Sequence, residues 1–105
     1  MEEERKISEG EALFIQLVLM FQAAAMQQMG KLMNPLTSKT ECDLEQAKFS
    51  IDILDMVKSK TKGNLLDEEG RLLEQVLYDL KMNYLEELKN KNEQPGKENS
   101  AGKPE

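Results

Sequence analysis

The chain has 105 residues, a formal net charge of −6, one cysteine and no histidine. One cysteine excludes an intramolecular disulfide and favours a reducing compartment. The missing histidine removes the commonest general base near neutral pH, the commonest imidazole metal ligand, and with them Ser-His-Asp and Cys-His chemistry. No segment is strongly basic, so the electrostatic footprint of a nucleic-acid binder is absent.

Residues 1–10 are polar and read as a frayed lead-in. Leu13 to Phe21 followed by Ala23-Ala24-Ala25 has the outline of a secretory signal. Met1-Glu2-Glu3-Glu4 is acidic where such a signal needs positive charge, so none is expected. The first predicted helix covers residues 11–33 and is stopped by Asn34-Pro35, because the residue before proline is pushed out of the α region. Between Glu11 and Lys31 no charge occurs for 19 residues, and Gln16, Gln22, Gln27 and Gln28 are the main polar interruptions. A helix apolar on nearly every side must be covered on nearly every side. Two companion helices are too few to do this, so the pattern predicts cover from outside the monomer: another copy, another protein or lipid. Phe14, Leu17, Val18, Phe21, Ala25 and Met29 are the candidate seam.

The second predicted helix covers residues 44–60. Asp43 is a good N-cap with Gln46 in the capping-box position, and Gly63 lies where a left-handed residue closes a helix. Leu44, Ala47, Ile51 and Leu54 form one apolar stripe, while Phe49, Ile53, Met56 and Val57 form another. The third predicted helix covers residues 67–89, with Leu73, Leu77, Leu80, Tyr84 and Leu88 at helical spacing. Residues 90–105, with two prolines and two glycines and no strong apolar residue, read as a disordered tail.

Three other features invite a chemical reading. Lys58, Lys60 and Lys62 before Gly63-Asn64 resemble an anion-binding loop. Lysines at a helix C-terminus also complement the macrodipole, and no phosphate-loop spacing is present. Asp43, Glu45, Asp52 and Asp55 lack the histidine partners that helical-bundle metal sites use and read as a solvated face. Cys42, between Glu41 and Asp43, reads as an unreactive surface thiol.

From about Phe14 to Tyr84 a pattern runs through Asn34-Pro35 after an apolar helix, Asp43-Leu44 with Ala47-Lys48, and Ile51-Asp52 with Leu54. It continues through Lys60-Thr61-Lys62-Gly63-Asn64-Leu65, Glu68-Glu69, Leu72-Leu73, and Leu77-Tyr78 with Leu80. In this pattern the middle of the chain resembles a bacterial family known as domain of unknown function 1844. The Lys-Thr-Lys-Gly-Asn-Leu run is the most specific part. The family pattern carries a hydroxyl residue where this chain has Leu66; such a residue would cap the third helix, and here Asp67 or Asn64 has to do so. The resemblance implies a small cytoplasmic helical protein and supplies no activity.

The sequence therefore predicts an all-α, three-helix antiparallel bundle completed by self-association, a dimer being the simplest form, or by an unidentified protein partner. It predicts no enzyme activity, no cofactor, no metal and no nucleic-acid partner. The alternative is a protein that meets a membrane through its apolar first helix. Four glutamines within that run and the lack of an aromatic belt argue against a spanning segment.

Overall fold

The computed structural model describes residues 7–93. It consists of α1 (Glu9–Gln28), α2 (Leu44–Lys60) and α3 (Asp67–Glu93), each packed against the other two in an up-down-up bundle, with no strand among the described residues. The fold is the all-α bundle that the apolar periodicity predicts.

α1 starts earlier and ends earlier than its composition suggests. Ser8 is the N-cap; its side chain accepts a hydrogen bond from the Glu11 N–H at 3.1 Å. At the other end the helix stops at Gln28, six residues before Asn34-Pro35. Gly30, at φ +80°, takes the left-handed position after the C-cap Met29. The Gly30 N–H donates to the Gln27 carbonyl (3.0 Å) and the Lys31 N–H to the Met26 carbonyl (2.8 Å). This double closure satisfies carbonyls that the helix end would orphan. A Cβ at residue 30 would meet the Glu41 carbonyl at an ordinary 3.5 Å, so it is the positive φ that calls for glycine here.

Residues 29–43 form a folded connection. Met29 pairs with Cys42 and Asn34 with Lys39 in isolated antiparallel bridges. Asn34 organises the tip: its Oδ1 accepts from the Leu36 N–H (2.9 Å), and its carbonyl accepts from the Ser38 N–H (2.8 Å). Asn34-Pro35 thus builds a turn within the connection rather than stopping the helix. Leu36 projects from it, 92% exposed.

α2 has the predicted bounds. Asp43 Oδ1 accepts from the Gln46 N–H at 3.2 Å, and Gly63 adopts φ +87° just beyond the last turn. Thr61 Oγ1 donates to the Val57 carbonyl at 2.7 Å, satisfying another end group.

The start of α3 is built differently from the expectation. The Gly70 N–H donates to the Leu66 carbonyl, which makes Leu66 the N-cap residue. Glu69 reaches back, and its Oε1 accepts from the Leu66 N–H at 2.9 Å. This is the return half of a capping box, with no hydroxyl at the cap to supply the forward half. Leu66→Ser restores it. The expected gain is about 1 kcal/mol, or about 4–8 °C in melting temperature for a domain of this size. Thermal melts followed by circular dichroism at 222 nm measure it.

α3 continues to Glu93, four residues past its predicted end. The remainder of the predicted tail, residues 94–105, and the first six residues of the lead-in lie outside the described residues.

The core is one cluster. Val18, Ala25 and Met29 from α1 and its cap meet Leu44, Ala47, Ile51 and Leu54 from α2 and Leu73, Val76, Leu77 and Leu80 from α3. Phe14, Phe21, Val57, Tyr84 and Leu88 are partly buried against it. A polar clamp joins α1 to α2. Ser50 is buried, and its Oγ lies 2.8 Å from the Gln28 amide. In the orientation that satisfies both ends of that amide, Gln28 Nε2 donates to Ser50 Oγ and to the Gln46 carbonyl, 3.0 Å away. A second clamp joins the connection to α3, where Lys31 Nζ lies 2.9 Å from Glu87 and 3.3 Å from Glu86. The hydrogen bond to Glu87 holds the ammonium above its ordinary pKa. The Lys31 contribution to the clamp is therefore present at neutral pH and is lost as pH rises through that raised value.

Candidate functional site

The outward surface of α1 and α2 is the feature with functional content. On α1 only Glu11, Val18 and Ala25 are buried. Leu13 is 63% exposed and Met20 57%, and Leu17 and Leu19 are also exposed. On α2 the second stripe divides: Val57 packs on the core, while Phe49 is 62% exposed, Met56 exposed and Ile53 half-buried.

The two rows share one side of the bundle. Gln28 and Ser50 mark where α1 and α2 meet, and Lys81–Asp55 (2.9 Å) marks the side of α2 that meets α3. At ~100° per residue, Leu13, Leu17 and Met20 fall within ~80° of Gln28 around α1. Ile53 falls ~60° from Ser50 around α2, with Phe49 and Met56 beyond it, away from α3. Leu13, Leu17 and Ile53 thus border the outer edge of the α1–α2 groove, and Met20, Phe49 and Met56 extend the apolar surface onto the backs of the two helices. A shorter exposed row on α3, Tyr78, Met82 and Leu85, is flanked by the Lys81–Asp55 ion pair.

The residues singled out from sequence as a seam do not all lie on this surface. Val18, Ala25 and Met29 are fully buried within the chain, and Phe14 and Phe21 pack on the core. Only Leu17 is exposed. The apolar run is wide enough to supply both a core face and an outer face, and composition alone does not say which residue belongs to which. Leu13 and Met20, one helical turn either side of Leu17, complete the outer row.

Of the three lysines around the end of α2, two come together. Lys60 stands apart, on the outer stripe of α2 below Met56. Lys58 and Lys62, with Gly63, line an open cleft of about 480 Å³ between the end of α2 and the start of α3, where Lys58 also lies 3.9 Å from Glu74. Its other walls include the acids Asp55 and Glu74 and the leucines Leu65 and Leu73. The backbone is already engaged: the Lys62 N–H donates to the Ser59 carbonyl and the Asn64 N–H to the Thr61 carbonyl. Mixed charge and occupied N–H groups suit helix closure better than anion binding.

Three of the four acids around α2 are similarly committed, and Glu45 is exposed without an ion pair among the described residues. Asp43 caps the helix, Asp52 takes Lys48 at 2.9 Å and Asp55 takes Lys81. Cys42 is exposed beside the Met29 bridge.

A family model described as Domain of unknown function (DUF1844) matches residues 11–86. The chain belongs to that family. The matched span of this DUF1844 chain takes in most of α1 and α3, all of α2 and both connections, so the outer row of α1 lies within the family domain. Neither the curated proteins nor the solved structures yield a match.

Proposed function

We propose that this protein acts by association rather than by chemistry, its outer α1–α2 surface being covered by another protein chain, most simply a second copy. One observation carries the reading. α1 has no charge for 19 residues yet turns only a narrow face into its own core, leaving Leu13, Leu17 and Met20 in water. A contiguous apolar surface of this kind on a soluble protein marks an interaction site. Two-fold self-association is the commonest way to cover one. The composition supports a non-enzymatic role, because a chain without histidine lacks the usual proton-transfer group. The single cysteine supports a cytoplasmic location.

Light scattering on the native protein at micromolar concentration tests the reading. The expected mass is a multiple of the 12.0 kDa chain, or that chain with a co-purifying protein. A stable folded species at the chain mass overturns it.

A membrane surface is the second reading, favoured by α1 being long and apolar enough to cross a bilayer by length and composition. Against it, Val18 and Ala25 hold α1 in the bundle core, and Glu45 and Asp52 stand beside the apolar stripe of α2. Flotation with acidic-lipid vesicles separates the two: the protein is expected to stay in the dense fractions.

A further inference from the structure

Along the outer face of α2 one row runs Glu45, Phe49, Ile53, Met56, Lys60, with steps of four, four, three and four. Those steps keep all five side chains on one helical stripe. Glu45 and Lys60, both exposed, have no ion pair among the described residues, whereas every other lysine of α2 does: Lys48 with Asp52 and Lys58 with Glu74. The row is therefore an apolar segment with a free carboxylate at one end and a free ammonium at the other.

Resting on the association reading above, we infer that the occupant is a second copy whose α2 lies antiparallel on this one, about a two-fold axis beside Ile53. Reversing the row on itself pairs Glu45 with Lys60 of the other copy at both ends. It also sets Phe49 against the second copy's Met56 and brings the two Ile53 side chains together near the axis. A parallel arrangement would set Glu45 against Glu45 and Lys60 against Lys60. The charge pattern thus selects orientation and register as well as partner.

The available area agrees. The exposed side chains of the α1 and α2 rows present on the order of 500 Å² of apolar surface, at roughly 200 Å² for each full side chain. The same axis stacks α1 antiparallel on α1. Each copy's connection, with exposed Leu32, Met33 and Leu36, then comes to the end of the other copy's α1 that carries Leu13 and Leu17. With those three included, the surface reaches the ~800 Å² per partner of a standard interface.

Three variants of the full chain test the seam by sedimentation velocity over a dilution series: E45K, K60E and the double swap E45K/K60E. Each single variant faces two like-charged pairs across the axis and is expected to weaken dimerisation about tenfold or more. The swap restores opposite charges at both ends and is expected to recover the unmodified affinity. The swap also reverses both residues against the α2 macrodipole, so its melting temperature falls while its dimerisation recovers. A role confined to the stability of α2 would move both readouts the same way. A dimer indifferent to the single variants, or a swap weaker than either of them, overturns this seam and leaves self-association standing. An unmodified protein that is monomeric overturns the association reading itself, and flotation of that monomer with acidic-lipid vesicles would identify lipid as the occupant.

Discussion

Leu54→Ala is expected to remove about 3 kcal/mol of folding stability and lower the melting temperature by about 15–20 °C. Leu54 is fully buried at the middle of α2, in the cluster that joins all three helices. Truncation deletes three buried carbons and leaves a void that rigid neighbouring helices fill only in part. A domain of this size has about 5–15 kcal/mol of stability in total, so the loss is a large share of it. Leu85→Ala, exposed on α3 away from the proposed seam, is the matched control and is expected to stay within about 0.5 kcal/mol. Urea titrations with an unchanged slope decide the comparison. A Leu54→Ala midpoint close to that of the unmodified protein would mean that the helices do not share this core.

The second large effect separates two neighbours in sequence. Phe21→Glu places a carboxylate against the core, where Phe21 packs, and is expected to unfold the chain or cost about 3 kcal/mol or more. Met20→Glu changes the adjacent, exposed position on the outer row and is expected to leave the fold intact. Its effect appears instead in association, because a charge must then be desolvated at the seam; about a hundredfold weaker dimerisation is expected. Far-ultraviolet circular dichroism and sedimentation, run together, read the two outcomes. Loss of helix in Met20→Glu, or an unchanged dimer, would remove α1 from the interface.

This pair also shows how far the sequence can be read. The spacing of Leu73, Leu77 and Leu80 on α3, and of Leu44, Ala47, Ile51 and Leu54 on α2, predicts the buried face of each helix, because polar residues separate core from surface there. In α1 no such contrast exists. Val18 and Leu17 are adjacent, both apolar, one fully buried and one exposed, and only the positions of α2 and α3 distinguish them. Hence the seam drawn from composition mixes core residues with surface ones.

The helix ends teach a related lesson. Asp43 with Gln46 is a local capping pair, legible from spacing alone, and it sits where predicted. Gly30 carries an equally local signal for the end of α1, but Asn34-Pro35 is the more conspicuous stop and masks it. The cap of α3 is illegible for a different reason. Leu66 has no polar group to announce it, and the hydrogen bond comes back from Glu69. Charge pattern on the outer row of α2 was there to be read as well, but Glu45 and Lys60 acquire meaning only once Lys48 and Lys58 are seen to be paired within the chain.

The cover over the outer face is tested most directly by hydroxyl-radical footprinting of the native protein at micromolar concentration. Three methionines make an internal comparison, since within a single chain Met20 is 57% exposed, Met56 47% and Met82 49%. Met20 and Met56 lie on the proposed seam, and Met82 lies on α3 away from it. The account predicts that Met20 and Met56 oxidise several-fold more slowly than Met82 and that dilution to monomer, or the Met20→Glu substitution read at Met56, abolishes the difference. Equal oxidation of all three in the undiluted native protein would contradict it.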